Sequence, residues 1–429
     1  MMATINAKTG RSLGRPFRQL LAATISSNAA DGIVMVILPL LVLRITTDPL
    51  AVSAARIAAY VPAVLLSIVV GTIVDTASRR RLMAASNIIR AGLLACLGVA
   101  IWQDSLALWM IIVAALGFAA FEGIHDTATT TTVPDLVDSG DLERANGRIV
   151  TGQQVTQGFI AAPVGTISLA MFAPLPIGIS MALLLFGVAM IFRAVPRHQS
   201  GPPGATDDHN AFTLWQRTRE GLSYLHHSRT LRRLALVSPL VIGIFALAQG
   251  TYIYYLVQVL DVPEALVGVL AVAPALGAIA GATTVSKVTA RFGTFPIMSV
   301  VLLGQGFALA GASVVPPNAT GWIIFASLSA SMAVLAAWWN VLVATARQRL
   351  VPRRLLGRVS GVIFTFVGIA GPIGTLASGL LARVDGRLPW LVAGIGMAMI
   401  AVLARPLLRD IAQHTGRPDR HTESFQGRR

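Results

Sequence analysis

Apolar residues run through the chain in long, almost uncharged blocks, parted by short clusters of arginine, proline and glycine. A helix rises about 1.5 Å per residue, so about 20 apolar residues cross the roughly 30 Å hydrocarbon core of a bilayer. The blocks 57–74, 234–260, 265–286 and 359–382 each suit one crossing. Two longer blocks suit two crossings: 149–192 is interrupted by Pro174 and Pro176, and 292–346 by Pro316, Pro317 and Asn318. With the runs near 17–43, 82–101, 106–132 and 388–409, the pattern predicts twelve transmembrane helices in an all-α integral membrane protein.

Composition points the same way. The 429 residues are 55% hydrophobic and only 12% charged, with a mean hydropathy of +0.70. Soluble domains carry roughly 25% charged residues, and disordered chains are polar, so both classes are excluded. The single cysteine, Cys96, excludes a disulfide framework, a zinc finger and a cysteine-ligated cluster. The net charge of +15 would suggest nucleic acid in a soluble chain. Here the basic residues sit in the short segments between apolar blocks, so no nucleic-acid partner is expected. With the N-terminus inside, 29 basic residues fall on the inner side and only Arg44, Arg383 and Arg387 on the outer. This asymmetry predicts a multi-pass protein of the inner membrane with both termini cytoplasmic. The basic start of the chain has no cleavage site after a short apolar core, so it reads as an arm and not as a signal peptide.

The blocks divide the chain. Residues 1–16 form a cytoplasmic arm, 17–195 a six-helix bundle, 196–230 a cytoplasmic linker, 231–409 a second six-helix bundle and 410–429 a tail. Within the linker, Phe212, Trp215, Leu222 and Leu225 recur at helical spacing among charges, as in a helix lying on the membrane surface. The tail has no periodicity and is expected to be disordered. The halves also share local text. Val133-Pro134-Asp135, Leu142 to Gly147 and Ala162 to Thr166 recur in order as Val351-Pro352-Arg353, Leu356 to Gly361 and Gly371 to Thr375. Parallel six-span repeats point to a transporter with its site at the bundle interface near the membrane midplane.

At the inner end of span two stands Gly71-x-x-x-Asp75-x-x-x-Arg79-Arg80-Arg81. Together with the repeat, this resembles the signature of the major facilitator superfamily over essentially 17–409. Within it, the chain is most similar to bacterial drug and siderophore exporters of the enterobactin-exporter type. Asn28-Ala29-Ala30-Asp31-Gly32 resembles their span-one stretch, and Gln348 to Pro352 followed by Leu356 to Val359 resembles their loop after span ten. Thr76 and Ser78 depart from the signature, and Thr129 stands where these exporters often have a basic residue. The resemblance implies that Gly71, Asp75, Arg79, Arg80 and Arg358 form a gate in which the acid faces the start of span eleven. The three arginines serve equally well as a topology anchor. Pro163-Val164-Gly165 after Gly158 is a degraded form of the family's span-five antiporter motif.

The charges inside spans carry the chemistry. Asp31 lies thirteen residues past Arg18, about 20 Å into span one, and Glu122 twelve residues before Pro134, about 18 Å from the same side. An intramembrane acid costs about 2.5–3.5 kcal/mol even on the lenient insertion scale, so it faces a wet cavity or a partner. Asp31 and Glu122 are therefore the candidates for proton coupling or for the substrate's charge. Asp31 could alternatively only hydrogen-bond a neighbouring helix beside Asn28. Glu122, His125 and Asp126 share one helical face. Arg90 is about 12 Å deep, level with Asp126, so an Arg90–Asp126 ion pair is expected.

Amide and aromatic groups near midplane suit an amphipathic cargo: Asn28, Gln153, Gln157, Gln249, Tyr252, Trp338 and Asn340. Aromatic residues also belong to ordinary interface belts. No phosphate loop is present, and the histidines lack metal-ligand spacing, so neither an enzyme nor a cofactor is expected. The sequence thus predicts a monomeric secondary transporter, exporting a drug-like molecule against protons. A siderophore or secondary-metabolite exporter, or a nutrient importer of the same fold, is the alternative.

Overall fold

The computed structural model describes residues 13–65, 78–195, 223, 225 and 228–415, and every regular element among them is helical. The first half comprises α1 (Arg15–Ile45), α2 (Pro49–Leu65), α3 (Arg79–Trp102), α4 (Leu108–Leu136), α5 (Leu142–Val155), α6 (Ala162–Met171) and α7 (Leu175–Ala194). A π turn, Thr156–Ala161, joins α5 to α6 in one crossing. The second half comprises α8 (Arg229–Gln249), the short α9 (Tyr252–Tyr254) with a π turn Tyr255–Val259, α10 (Glu264–Leu270) and α11 (Val272–Phe292). It continues with α12 (Thr294–Ser313), α13 (Ala319–Leu350), α14 (Arg353–Ala382), α15 (Leu388–Leu403) and α16 (Arg405–Thr415).

Among the described residues, nine helical runs are long and apolar enough to cross a membrane. Of the other three expected spans, α2 is described only as far as Leu65, the run 142–171 passes through its π turn, and Leu388–Leu403 is a shorter apolar helix. Their boundaries follow from local chemistry. Asp48 Oδ1 accepts from the Leu50 amide at 3.0 Å at the start of α2, and Asn318 Oδ1 from Gly321 at 2.9 Å at the start of α13. Side-chain caps of this kind satisfy amides that a helix leaves unpaired.

The C-terminal region differs from expectation. The last apolar run ends at Leu403, and Arg405-Pro406 opens a new helix that continues to Thr415, into the segment expected to be disordered. Proline is preorganised for a first helical turn. Leu407 and Leu408 are buried, and Arg233 Nη1 meets Asp410 Oδ2 at 2.7 Å, which docks α16 on the second half. The arm 1–12, the surface helix expected in the linker around Phe212 and Trp215, and 416–429 lie outside the described residues.

Helices of each half pack chiefly on one another: α1 on α7, α3 on α4 and α7, and α2 on α4; then α8 on α14, α11 on α13, and α12 on α15. Small residues bring backbones together where hydrophobic force between helices is absent. A methyl group on Gly32 would come within 2.5 Å of the Ala161 Cβ, so the glycine seats α1 directly on the π turn. The halves meet through α2 with α14 and α6 with α10. Those contacts lie at the end of the molecule opposite the termini. There Arg44 pairs with Glu264 at 2.5 Å, and Arg383 with Asp48 at 2.8 and 2.5 Å. A methyl group on Gly268 would lie 2.2 Å from the Ala162 carbonyl oxygen, which shows how closely α10 lies on α6. This distal end is closed.

Candidate functional site

Asp31 sits midway along α1, fourteen residues from its distal end, and Glu122 midway along α4, fourteen residues from its distal start. At about 1.5 Å per residue both lie about 21 Å below the distal surface. Between α1, α2, α4 and the π turn is a cavity open on one side, about 810 Å³ of empty space with its mouth included, and both carboxyl groups are in its lining. Its walls are mostly apolar, with Val34, Leu38, Ala115 and Phe118, and its polar lining residues are Asp31, Arg56, Tyr60, Glu122 and Gln157. Exposed Met35 and Tyr60 mark the side from which it is reached. All lining residues belong to the first half, whereas the internal repeat suggested a site shared by both bundles.

The two acids have different surroundings. Asp31 Oδ1 receives Arg90 Nη1 at 2.6 Å, with both side chains at most 5% exposed. Arg90 Nη2 donates to Asn87 Oδ1 at 2.5 Å, and Asn87 Nδ2 reaches Ser27 Oγ at 2.9 Å, which closes a network across α1 and α3. The guanidinium also lies over the Phe118 ring, 5.0 Å from its centre. Arg90 was expected to pair with Asp126. Depth along the membrane normal made the two level, but depth carries no information about which way each helix turns its side chains. The packed structure turns Arg90 to Asp31.

Glu122 is half-buried and, among the described residues, its carboxyl group accepts no hydrogen bond and makes no ion pair. Arg90 and Asp126 are the charges that act on it. One turn along α4, His125 is 1% exposed. The cavity thus joins an acid committed to an arginine and an acid committed to nothing.

The other expected residues divide. Gln157 lines the cavity, and its Nε2 donates to Asn28 Oδ1 at 2.9 Å, while Asn28 Nδ2 donates to the Thr24 carbonyl at 2.9 Å. Gln153 and Gln249 are half-buried away from the cavity, and Asn340 is exposed elsewhere. Tyr252 packs into an aromatic cluster with Phe325 at 5.9 Å and Trp390 at 6.4 Å, in the core of the second half. Trp338 donates to Thr284 Oγ1 at 3.1 Å, bracing α13 against α11. These five do not line the cavity; Tyr252 and Trp338 instead pack within the second half. Arg79 binds Asp135 at 2.5 Å and the Thr131 carbonyl at 2.9 Å, and Arg80 binds the Val195 carbonyl at 3.1 Å, so both tie ends of first-half helices together. Gly71 and Asp75 lie outside the described residues; Arg358 stands in the second turn of α14.

The sequence alone assigns Arg56 no role, and the cavity gives it a place. Its signal was present in Pro49, which starts the helix eight positions before the first uncharged block and so sets Arg56 two turns inside. Among the described residues no group of three His, Cys, Asp or Glu side chains could hold a metal ion.

Comparison with known proteins bears on this site. The family model of the Major Facilitator Superfamily matches residues 20–375. The chain is 24% identical over 380 residues to the multidrug efflux pump Tap of Mycobacterium tuberculosis, covering 86% of this chain and 87% of that one. It is 20% identical over 378 residues to macrolide efflux protein A of Streptococcus pyogenes, covering 85% and 89%. Among solved structures, a mutant of the nucleoside transporter NupG superposes with a TM-score of 0.71 at 14% identity, over 92% of this chain and all of that one. A bacterial homologue of the iron transporter ferroportin, inward-facing, gives 0.68 at 16% identity, over 94% and 100%.

Proposed function

The chain belongs to the Major Facilitator Superfamily, and from that premise we propose that it exports a hydrophobic or amphipathic small molecule by proton antiport and alternating access. The observation that carries this reading is the uncommitted Glu122 carboxyl group in a mostly apolar cavity, beside an acid already neutralised by Arg90. The efflux proteins with which the chain shares sequence, one named for multidrug and one for macrolide efflux, support an outward direction and a drug-like cargo.

The chemistry follows from the cost of charge. An ionised Glu122 resists closure of apolar walls around it, at about 2.5–3.5 kcal/mol on the lenient scale. A proton taken from the outer side removes that cost and lets the empty cavity turn inward. Cargo arriving from the cytoplasm displaces the proton, and the loaded cavity closes around the cargo instead. Each proton moving down the membrane potential supplies about 2.3 kcal/mol per 100 mV. Asp31 and Arg90 hold α1 to α3 throughout, as a fixed strut. In this reading the two halves are six-helix bundles joined by the 196–230 segment, both termini are cytoplasmic, and a monomer in the inner membrane suffices.

Everted membrane vesicles acidified inside and loaded with a pH-sensitive dye test the reading. A panel of lipophilic cations, neutral drugs and catechol siderophores is added in turn. The expected result is proton release with one class of lipophilic drug. Release with catechols alone would transfer the protein to siderophore export, and silence across the panel would contradict drug–proton exchange.

A further inference from the structure

The cavity holds a second uncommitted charge, of opposite sign. Arg56 lies seven residues inside α2, about 10 Å below the distal surface, and its side chain is half-buried in the cavity lining. Among the described residues it makes no hydrogen bond and no ion pair, although two carboxyl groups line the same cavity. Asp31 is occupied by Arg90, and Glu122 stands about 10 Å deeper than Arg56 by the rise of their helices. A guanidinium within a span costs several kcal/mol unless it faces water or a counter-ion. The cavity therefore keeps one free cation near its distal end and one free anion at its floor, with Val34, Leu38, Ala115 and Phe118 between them.

From this arrangement we propose that the site selects amphiphiles carrying a cationic and an anionic group on one apolar frame, the cation received by Glu122 and the anion by Arg56. This rests on the cavity being the cargo site. A guanidinium forks onto a carboxylate through two parallel hydrogen bonds, a strong and directional contact. A purely cationic amphiphile would satisfy Glu122 but leave Arg56 desolvated and unpaired as the cavity closes. A zwitterion satisfies both, and Arg56 becomes the residue that sets specificity.

Rhodamine B and its ethyl ester share one cationic ring system and differ in a free against an esterified carboxylate. Equilibrium binding of each to the purified full-length protein in nanodiscs, with protein-free nanodiscs subtracted, reads the preference without requiring transport. The wild type is expected to bind rhodamine B at least about tenfold more tightly than the ester. Arg56→Gln should bring the two within about twofold, and Arg56→Lys should keep part of the preference, which guards against a folding defect in the first variant. Glu122→Gln should weaken both dyes. Equal or tighter binding of the ester, a preference that survives Arg56→Gln, or no binding of either dye would overturn the proposal. Binding as expected with no proton exchange in vesicles would leave this selectivity standing and sink the antiport reading instead.

Discussion

Asp31 and Glu122 lie at one depth in one cavity, yet the structure gives them opposite surroundings. Asp31 is locked between Arg90 and its own helix, with the pair at most 5% exposed. Removing one partner of a buried ion pair strands the other charge, which typically costs about 3–5 kcal/mol. Asp31→Asn is therefore expected to lower the thermal midpoint of the solubilised protein sharply, and Asp31→Asn with Arg90→Gln to recover most of the loss. A single variant as stable as the wild type would show that the pair is not a strut. The sequence alone located both acids and their depth, because helical rise is uniform and charges in apolar runs are rare. It missed which acid Arg90 chooses, since azimuth is set by packing of α1, α3 and α4. It also left Arg56 without a role, for want of knowing where α2 begins.

At the scale of helices, apolar blocks and proline breaks were legible because they are local. The π turns at Thr156–Ala161 and Tyr255–Val259 were not, since one extra residue in a turn leaves hydropathy unchanged. Such turns recur at functional sites, and the first one brings Gln157 to the cavity. The ion pairs that close the distal end were equally hidden, because Arg44 and Glu264 are 220 residues apart, and Asp48 and Arg383 are 335 apart. The hydrogen bond from Arg383 holds the Asp48 carboxyl group below the usual carboxylate range, helped by the Leu50 amide. A depressed value means that the pair's contribution is complete above the unfolded value, about 3.9, and is lost only as pH falls through the lower folded value. Acidity in the range of the proposed antiport should leave this closure intact. Ser53, buried under Gly379 at the α2–α14 contact, offers the readout. In a Cys96→Ser background, labelling of Ser53→Cys by an impermeant maleimide, corrected for the intrinsic pH dependence of the thiol, should show no opening between about pH 8 and 5. A midpoint near pH 6 would place proton sensing at the distal gate and contradict the cavity as its seat.

Across the whole molecule, the family, the repeat and the helical membrane fold were readable from hydropathy and a few motifs, and the family model matching residues 20–375 agrees. The second half was expected to supply Tyr252, Trp338 and Asn340 to the cargo site, yet the cavity is built by the first half alone. Tyr and Trp suit a core as well as a pocket, and only packing distinguishes the two uses. Under the proposed function, first-half helices hold the charges that bind and exchange, and second-half helices supply the surface against which the cavity closes. Proton coupling through Glu122 is the central claim, and proteoliposomes test it most directly. Counterflow of the cargo found in the vesicle panel requires alternating access without a proton gradient, whereas uphill accumulation requires the proton. In Glu122→Gln, counterflow at saturating cargo should persist while accumulation ceases to respond to an imposed pH gradient. Accumulation that still follows the gradient in that variant would contradict the account and move the coupling group elsewhere.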